Sequence, residues 1–372
     1  MGITKKYNLY RSFIILFLSL LILNINGQSE IKSNSNYRIG VFLPFSASTD
    51  AEGNIDKQQQ LISYAMMDFY GGIQLALENL SKLGFSADVY TWNSHGKSTT
   101  ELNQIIESNT FKSLDILIGP IDDKVAVEIS QSNPTIIQVS PLKYLKNNSN
   151  TINFFQKKEN RFESVFEGVV NRFSNYKICI ISNNIAKAQI TVKNLLKDDK
   201  DSKTVSYHSY KNGSIKPNIP SGDDIIMVID GISQTQKLSL TKRINRKTNS
   251  YIIADHTWFD NFLSTEEVDE SLIIYPTINY IFGLDSSTQE FSNQYLDSFH
   301  AEPSRFGYQG YDQMWFIGNA LLTFGIDFME FLPKAEFSGT INNIALKKSE
   351  YGMINKGIRF IYRKESELIC WD

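Results

Sequence analysis

The chain has 372 residues, and 37 Lys plus Arg against 40 Asp plus Glu leave a net charge of -3. That balance offers no basic stripe for a nucleic-acid backbone, so no nucleic-acid partner is expected. With 42% hydrophobic, 21% charged and 12% aromatic residues, the composition excludes wholesale disorder and the collagen-like and low-complexity classes. Single cores rarely grow past about 250 to 300 residues, so the length predicts two lobes.

Residues 1–27 read as a signal peptide. Lys5, Lys6 and Arg11 form a basic start, and Phe13 to Leu23 is an apolar run broken only by Ser19. The run is shorter than the about 20 residues a transmembrane helix needs, and polar Asn24, Asn26, Gly27 and Gln28 follow it, which fits cleavage near Gly27. Cleavage removes three positive charges and takes the net charge from -3 to -6. No Cys follows the apolar core, so no residue is available for lipoprotein acylation, and a soluble periplasmic protein without a membrane span is expected. Residues 28–36 read as a polar linker.

Beyond it, short apolar runs alternate with helical patterns, as in a parallel sheet covered by helices. Strands are predicted at Arg38–Leu43, Ala87–Trp92, Leu114–Ile118 and Thr135–Val139. Between the first two, Met66, Tyr70, Ile73, Leu77 and Leu80 recur at spacings of three and four and predict a helix ending at Gly84. Helices at 101–108 and 124–130 supply the next crossovers. A second set follows: a helix over 160–173, strand 177–181, a helix over 186–196, strands 204–208 and 224–229, a helix over 234–244, and strands 250–253 and 271–275. Lys211–Asp223 reads as a surface loop. Two more helices, 289–299 and 312–328, precede strand-like runs at 357–362 and 367–371.

Catalytic signatures are missing. The turn after the first strand, Leu43-Pro44-Phe45-Ser46, lacks the glycines of a dinucleotide-binding loop, and no P-loop, G-x-S-x-G or H-E-x-x-H occurs in the sequence. Asp255-His256-Thr257-Trp258-Phe259-Asp260 could hold a metal or an acid/base pair, or simply cap a helix; the capping reading is preferred. No enzyme, cofactor or metal is expected. Cys179 and Cys370 stand 191 residues apart in strand-like runs. They read as two buried thiols or one bridge, and spacing alone does not choose between them.

Several segments, taken in order, resemble a known family. They are Tyr37 to Phe45, Asp68-Phe69-Tyr70-Gly71-Gly72-Ile73-Gln74-Leu75-Ala76, Asp115-Ile116-Leu117-Ile118-Gly119-Pro120, Ile136 to Pro141, Asn153-Phe154-Phe155-Gln156 and Gly310-Tyr311-Asp312-Gln313-Met314. Together they resemble the type I periplasmic-binding-protein superfamily, as in solute-binding proteins of branched-chain amino-acid ABC transporters. The pattern is also similar to outer-membrane lipoproteins that activate peptidoglycan synthases on the same fold.

The resemblance implies an α/β fold of two Rossmann-like lobes with parallel sheets joined by a three-crossover hinge. Lobe one would take 37–155 plus 278–330, and lobe two 156–277 plus 331–372. It implies a non-catalytic protein that captures a small molecule between the lobes, with a membrane permease or an envelope protein as partner. Ligands of open parallel sheets sit beyond the strands' carboxyl ends. The expected contacts are therefore Phe45, Ser46, Asn93, Gly119, Pro120 and Ser140 on lobe one, and Asn183, Asp230, Asp255 and Trp258 on lobe two. The sequence departs from amino-acid binders of the family: Pro120 and Pro141 remove backbone donors, and Asp122 and Asp123 would repel a carboxylate at the helix start.

Overall fold

A computed structural model describes residues 36–50, 52–155, 161–173, 175–196, 205–212, 214–218, 225–232, 251–253, 273–278, 280–281, 286–364 and 367–370. The expected signal peptide, the linker up to residue 35 and the helix over 234–244 lie outside the described residues, as do Asp255, His256 and Trp258; Asn36, expected to end the linker, lies in the first strand.

The first sheet is built from β1 (Asn36–Leu43), β2 (Ser86–Asn93), β3 (Ile116–Ile118), β4 (Ile137–Ser140) and β5 (Thr151–Asn153). It is completed by β12 (Glu336–Ser338), β13 (Asn343–Ser349) and β14 (Gly352–Asn355), in the order β12-β13-β14-β5-β4-β3-β1-β2. The second contains β6 (Lys177–Ser182), β7 (Val205–Lys211), β8 (Ser214–Lys216), β9 (Ile225–Asp230), β10 (Tyr251–Ile253), β11 (Ile273–Thr277), β15 (Arg359–Lys364) and β16 (Glu367–Cys370). Its order is β16-β15-β11-β10-β9-β6-β7-β8.

Strands β14 to β2 of the first sheet pair in parallel, as do β11 to β7 of the second. The short edge strands β12, β13, β8, β15 and β16 are antiparallel. Both sheets are thus mixed rather than purely parallel. The stretch expected to be a loop after Lys211 contains β8, paired with β7 through Tyr210 and Ile215. The alternation signal misses it because only three residues pair.

Buried parallel strands read as continuous apolar runs because helices cover both faces. One face of the first sheet packs Ile39, Val41, Ile116, Val139 and Ile152 against α1 (Lys57–Ser81) and α8 (Arg305–Phe324). The other packs Phe42 and Leu117 against α2 (Thr99–Glu107), α3 (Asn109–Lys112) and α4 (Asp123–Ser132). In the second sheet Ile178, Ile180 and Val228 meet α5 (Arg161–Arg172) and α6 (Ile185–Leu195). Helix α7 (Ser286–Phe299) lies beside α1.

Caps set several helix starts. Asp56 receives the amides of Gln58 and Gln59 to start α1, and Ser98 with Glu101 forms a reciprocal capping box for α2. Helix α8 begins at Arg305 behind a Ser304 cap, seven residues before the expected start at 312. Its first two turns carry Gly307, Gln309 and Gly310 and so lack an apolar stripe to betray them.

The chain passes from one sheet to the other three times, after β5, after β11 and after β14. The expected assignment of all of 331–372 to the second lobe needs correction. Strands β12 to β14 hydrogen-bond into the first sheet through Met353–Ile152 and Ile354–Asn153, and only β15 and β16 join the second. Among the described residues, no helix is long and apolar enough to cross a membrane.

Candidate functional site

All three crossings run between the carboxyl ends of parallel strands. In the first sheet Asn153 and Asn355 end β5 and β14, and Asn343 begins the antiparallel β13 at that same edge. In the second, Thr277 ends β11 directly opposite Arg359, which begins β15. The strand tips of both sheets therefore lie at the same connections.

The connections are knitted together. Tyr280 N donates to Ile341 O at 3.0 Å and Asn343 N to Ile278 O at 3.3 Å. Arg359 Nη2 donates to Ser338 Oγ and Gly339 O at 2.7 Å and to Asn342 O at 3.3 Å. The opposite side of this turn belongs to Asp312 of α8, which is fully buried. Its Oδ1 accepts from Thr340 N and Oγ1 at 2.8 and 2.9 Å, and its Oδ2 from Ile341 N, Asn342 N and Asn342 Nδ2 at 3.0, 2.9 and 3.0 Å. Burial pushes the Asp312 carboxyl above its ordinary value, against the pull of the amides of Ile341, Asn342 and Thr340. The turn is thus held by its N–H groups on a carboxylate and by its C=O groups on a guanidinium, an arrangement that aligns the peptide dipoles between opposite charges. Lys356 adds an ion pair to Glu163 of α5 at 2.7 Å, tying the third connection to the second lobe's first helix.

The first-sheet tips hold their predicted residues in internal bonds. Asn93 Oδ1 accepts from Phe45 N at 2.9 Å and His95 N at 3.1 Å, while its Nδ2 donates to Ser46 Oγ at 2.7 Å. The structure thus brings together Phe45, Ser46 and Asn93, as loops of adjacent strands. Ser140 is fully buried, and its hydroxyl donates to Lys143 O at 2.7 Å. Gly119 and Pro120 are buried after β3. Gly119 has φ +92°, and a Cβ there would press on Phe42 O. Only glycine fits this turn without strain. Asp122 caps α4 by accepting from Lys124 N and Val125 N at 2.9 and 3.0 Å, and Asp123 pairs with Lys143 at 2.7 Å. Both acids are therefore engaged in capping and pairing.

The second-sheet tips are more open. Ser182 Oγ donates to Asp230 Oδ2 at 3.3 Å and accepts from Asn184 N at 3.0 Å. Asn183 is exposed, and its Nδ2 donates to Gly231 O. Asn183 and Asp230 thus stand on neighbouring loops, since β6 pairs with β9 through Ser182 and Asp230.

Sequence reasoning passed over Gln309 and Gln313 of α8. Both are 2% exposed, and Gln313 Nε2 donates to Pro141 O at 2.9 Å in the loop after β4. Neither Oε1 has a hydrogen-bond partner. Their only sequence signal was two amides one turn apart in an otherwise apolar helix. Among the described residues, no group of three metal-ligating side chains occurs. Neither cysteine forms a disulfide. Cys179 on β6 and Cys370 on β16 lie five strand positions apart in one sheet, about 24 Å at the usual spacing, far beyond disulfide reach.

No protein-family profile matches the chain, and no curated protein matches it in sequence. Solved structures do match in fold. A putative branched-chain amino acid ABC transporter protein from Rhodospirillum rubrum aligns at 9% identity over 91% of this chain and 100% of its own, with a TM-score of 0.59. The C-domain of LpoA from Haemophilus influenzae, a regulator of PBP1A, aligns at 13% identity over 90% of this chain and 100% of its own, with a TM-score of 0.54. Two mostly parallel sheets, crossed three times at their strand tips and matched over nine-tenths of the chain by such a neighbour, give this protein the type I periplasmic-binding-protein fold.

Proposed function

We propose that the chain is a non-catalytic, exported solute-binding protein that takes a small molecule between its two sheets' strand tips, for ABC-type uptake or for sensing. The observation that supports this reading is the convergence of the connections on the carboxyl ends of both sheets, the ends at which open parallel sheets take their ligands. A ligand touching both rims stabilises their approach, and the knitted connections supply the pivot. Export rests on the basic start and apolar run of residues 1–27. The ligand contacts are drawn from Phe45, Ser46, Asn93, Gly119, Pro120 and Ser140 on one rim and Asn183, Asp230, Asp255 and Trp258 on the other.

Because Ser46, Asn93 and Ser140 spend their polar groups on the protein, the first rim offers chiefly the apolar surface of the half-buried Phe45. This supports a ligand with an apolar end, oriented by polar groups of the second rim. The same internal bonding favours a second reading, an envelope regulatory protein that engages its partner without a transported ligand.

A thermal-shift panel of amino acids, sugars, peptides, nucleosides and aromatic acids separates the two. Anything bound only by the folded state raises the melting temperature, by an amount equivalent to about 2.7 kcal/mol at 100 times Kd. A hit that is lost in Asp230→Ala supports solute binding. Silence across the panel, with a protein partner recovered from envelope extract, supports the regulatory reading instead.

A further inference from the structure

Helix α1 carries an apolar face that no other described part of the fold covers. Leu61, Tyr64 and Met67 are 69%, 58% and 49% exposed, and Leu296 and Phe299 of α7 beside them are 40% and 38% exposed. Together they form an exposed apolar patch, often a sign of a binding face. A groove of about 600 Å³ runs along this face, walled by Phe299 and Phe306, with Asp68 in its lining.

Two charges frame the stripe. Asp68 accepts from Ser304 N at 2.8 Å and from the Tyr295 hydroxyl, but pairs with no cation among the described residues. Lys57, in the first turn of α1, is exposed and pairs with no anion among them. At 3.6 residues per turn, eleven residues complete three turns to within about 20°, so Lys57 and Asp68 lie on one line of the helix, with Leu61 and Tyr64 between them.

We propose that this face joins two copies of the chain, with α1 packed antiparallel against α1 of the second copy. Lys57 and Asp68 are equidistant from a point between residues 62 and 63, and so are Leu61 and Tyr64. A two-fold axis at that point sets each Lys57 opposite an Asp68 and each Leu61 opposite a Tyr64. The result is an apolar centre closed at both ends by identical ion pairs, with the groove receiving the facing Leu61 and Tyr64. An isologous contact needs one surface to be its own complement, and this stripe is one in both hydrophobicity and charge. A different partner would have to supply an apolar centre and an opposed cation and anion at matching distances, whereas a second copy brings them by symmetry.

Sedimentation equilibrium of the purified protein tests the proposal, with twice the single-chain mass expected at about 50 µM. Tyr64→Glu and Leu61→Glu change exposed side chains only. Each is expected to weaken association about 100-fold while circular dichroism and melting temperature stay native. Carbodiimide coupling followed by peptide mass spectrometry reads the register. Within one chain Lys57 and Asp68 are about 16 Å apart along the helix, so a direct amide between them arises only across two copies. Finding that linked peptide supports the antiparallel arrangement. A wild-type protein that stays monomeric at that concentration overturns the proposal, as does a dimer indifferent to both glutamate variants. A dimer sensitive to Tyr64 yet giving no Lys57–Asp68 product overturns the proposed pairing of the helices.

Discussion

The two rims of the candidate cleft are built from the same kind of strand tip but differ in how they spend their polar groups. On the first sheet Asn93 binds across to Phe45, Ser46 and His95, Ser140 closes its own loop onto Lys143, and Gly119 wedges against Phe42. On the second, Asn183 and Gly231 are exposed and bonded to each other, and Ser182 contacts Asp230 at 3.3 Å and accepts from Asn184 N at 3.0 Å. The first rim is a preformed wall, and the second is an adaptable one. On the proposed solute-binding reading, shape would be set on one side and polar selection left to the other.

The sharpest way to break this comparison is to place a methyl group in each rim. Gly119→Ala forces a left-handed backbone onto alanine and drives its Cβ into a backbone oxygen that cannot step aside. A loss of about 2–4 kcal/mol in urea unfolding is expected. Gly231→Ala also has a positive φ, of 66°, but its Cβ would meet the side chain of exposed Asn183, at 2.6 Å, and this can swing away. About 1 kcal/mol is expected there. Equal losses would show that the rims are equally rigid.

A smaller contrast comes from the two asparagines. Asn93→Ala leaves two backbone N–H groups without their acceptor and should cost about 1–2 kcal/mol. Asn183→Ala removes an exposed side chain and should change stability by less than about 0.5 kcal/mol. Ligand affinity should respond the other way, with Asn183→Ala showing its effect in titration calorimetry on a thermal-shift hit rather than in unfolding.

The smallest expected signal concerns thiols. Burial pushes the Cys179 thiol above its ordinary value, partly offset by the Ser206 hydroxyl and by Lys177. Since the thiolate is the reactive form, Cys179 should resist a thiol reagent at pH 8 until the protein unfolds. Rapid labelling of Cys179 in the native state would mean that the second sheet opens far more readily than its packing implies.

Much of this architecture was legible in the sequence because buried parallel strands are unbroken apolar runs. Val41, Ile118, Val139, Ile180 and Val228 each sit in such a run, and each lies in a strand core. Strands β12 and β13 were harder to see, since Glu336–Ser338 and Asn343–Ser349 lie at a sheet edge with polar residues on one face. Their sheet membership depends on which neighbour they pair with, which no local pattern records. The candidate contacts were placed at strand tips by rule. It did not foresee that Asn93 and Ser140 are occupied by the protein itself, because a turn residue and a ligand contact share the same side-chain chemistry. The Asp312 cluster also escaped notice, as its five donors come from Thr340, Ile341 and Asn342, about thirty positions downstream.

The threefold passage between sheets has a bearing on how such a chain matures. The first sheet gains β12, β13 and β14 only from residues 336–355, and the second gains β15 and β16 only from residues 359–370. Neither layer can be finished by a contiguous piece of polypeptide, since both await strands beyond residue 335. During synthesis the early strands therefore remain incomplete, with open edges, until residues 336–370 are made. Truncation before residue 355 would injure both halves at once, and neither half could be produced alone as a finished body.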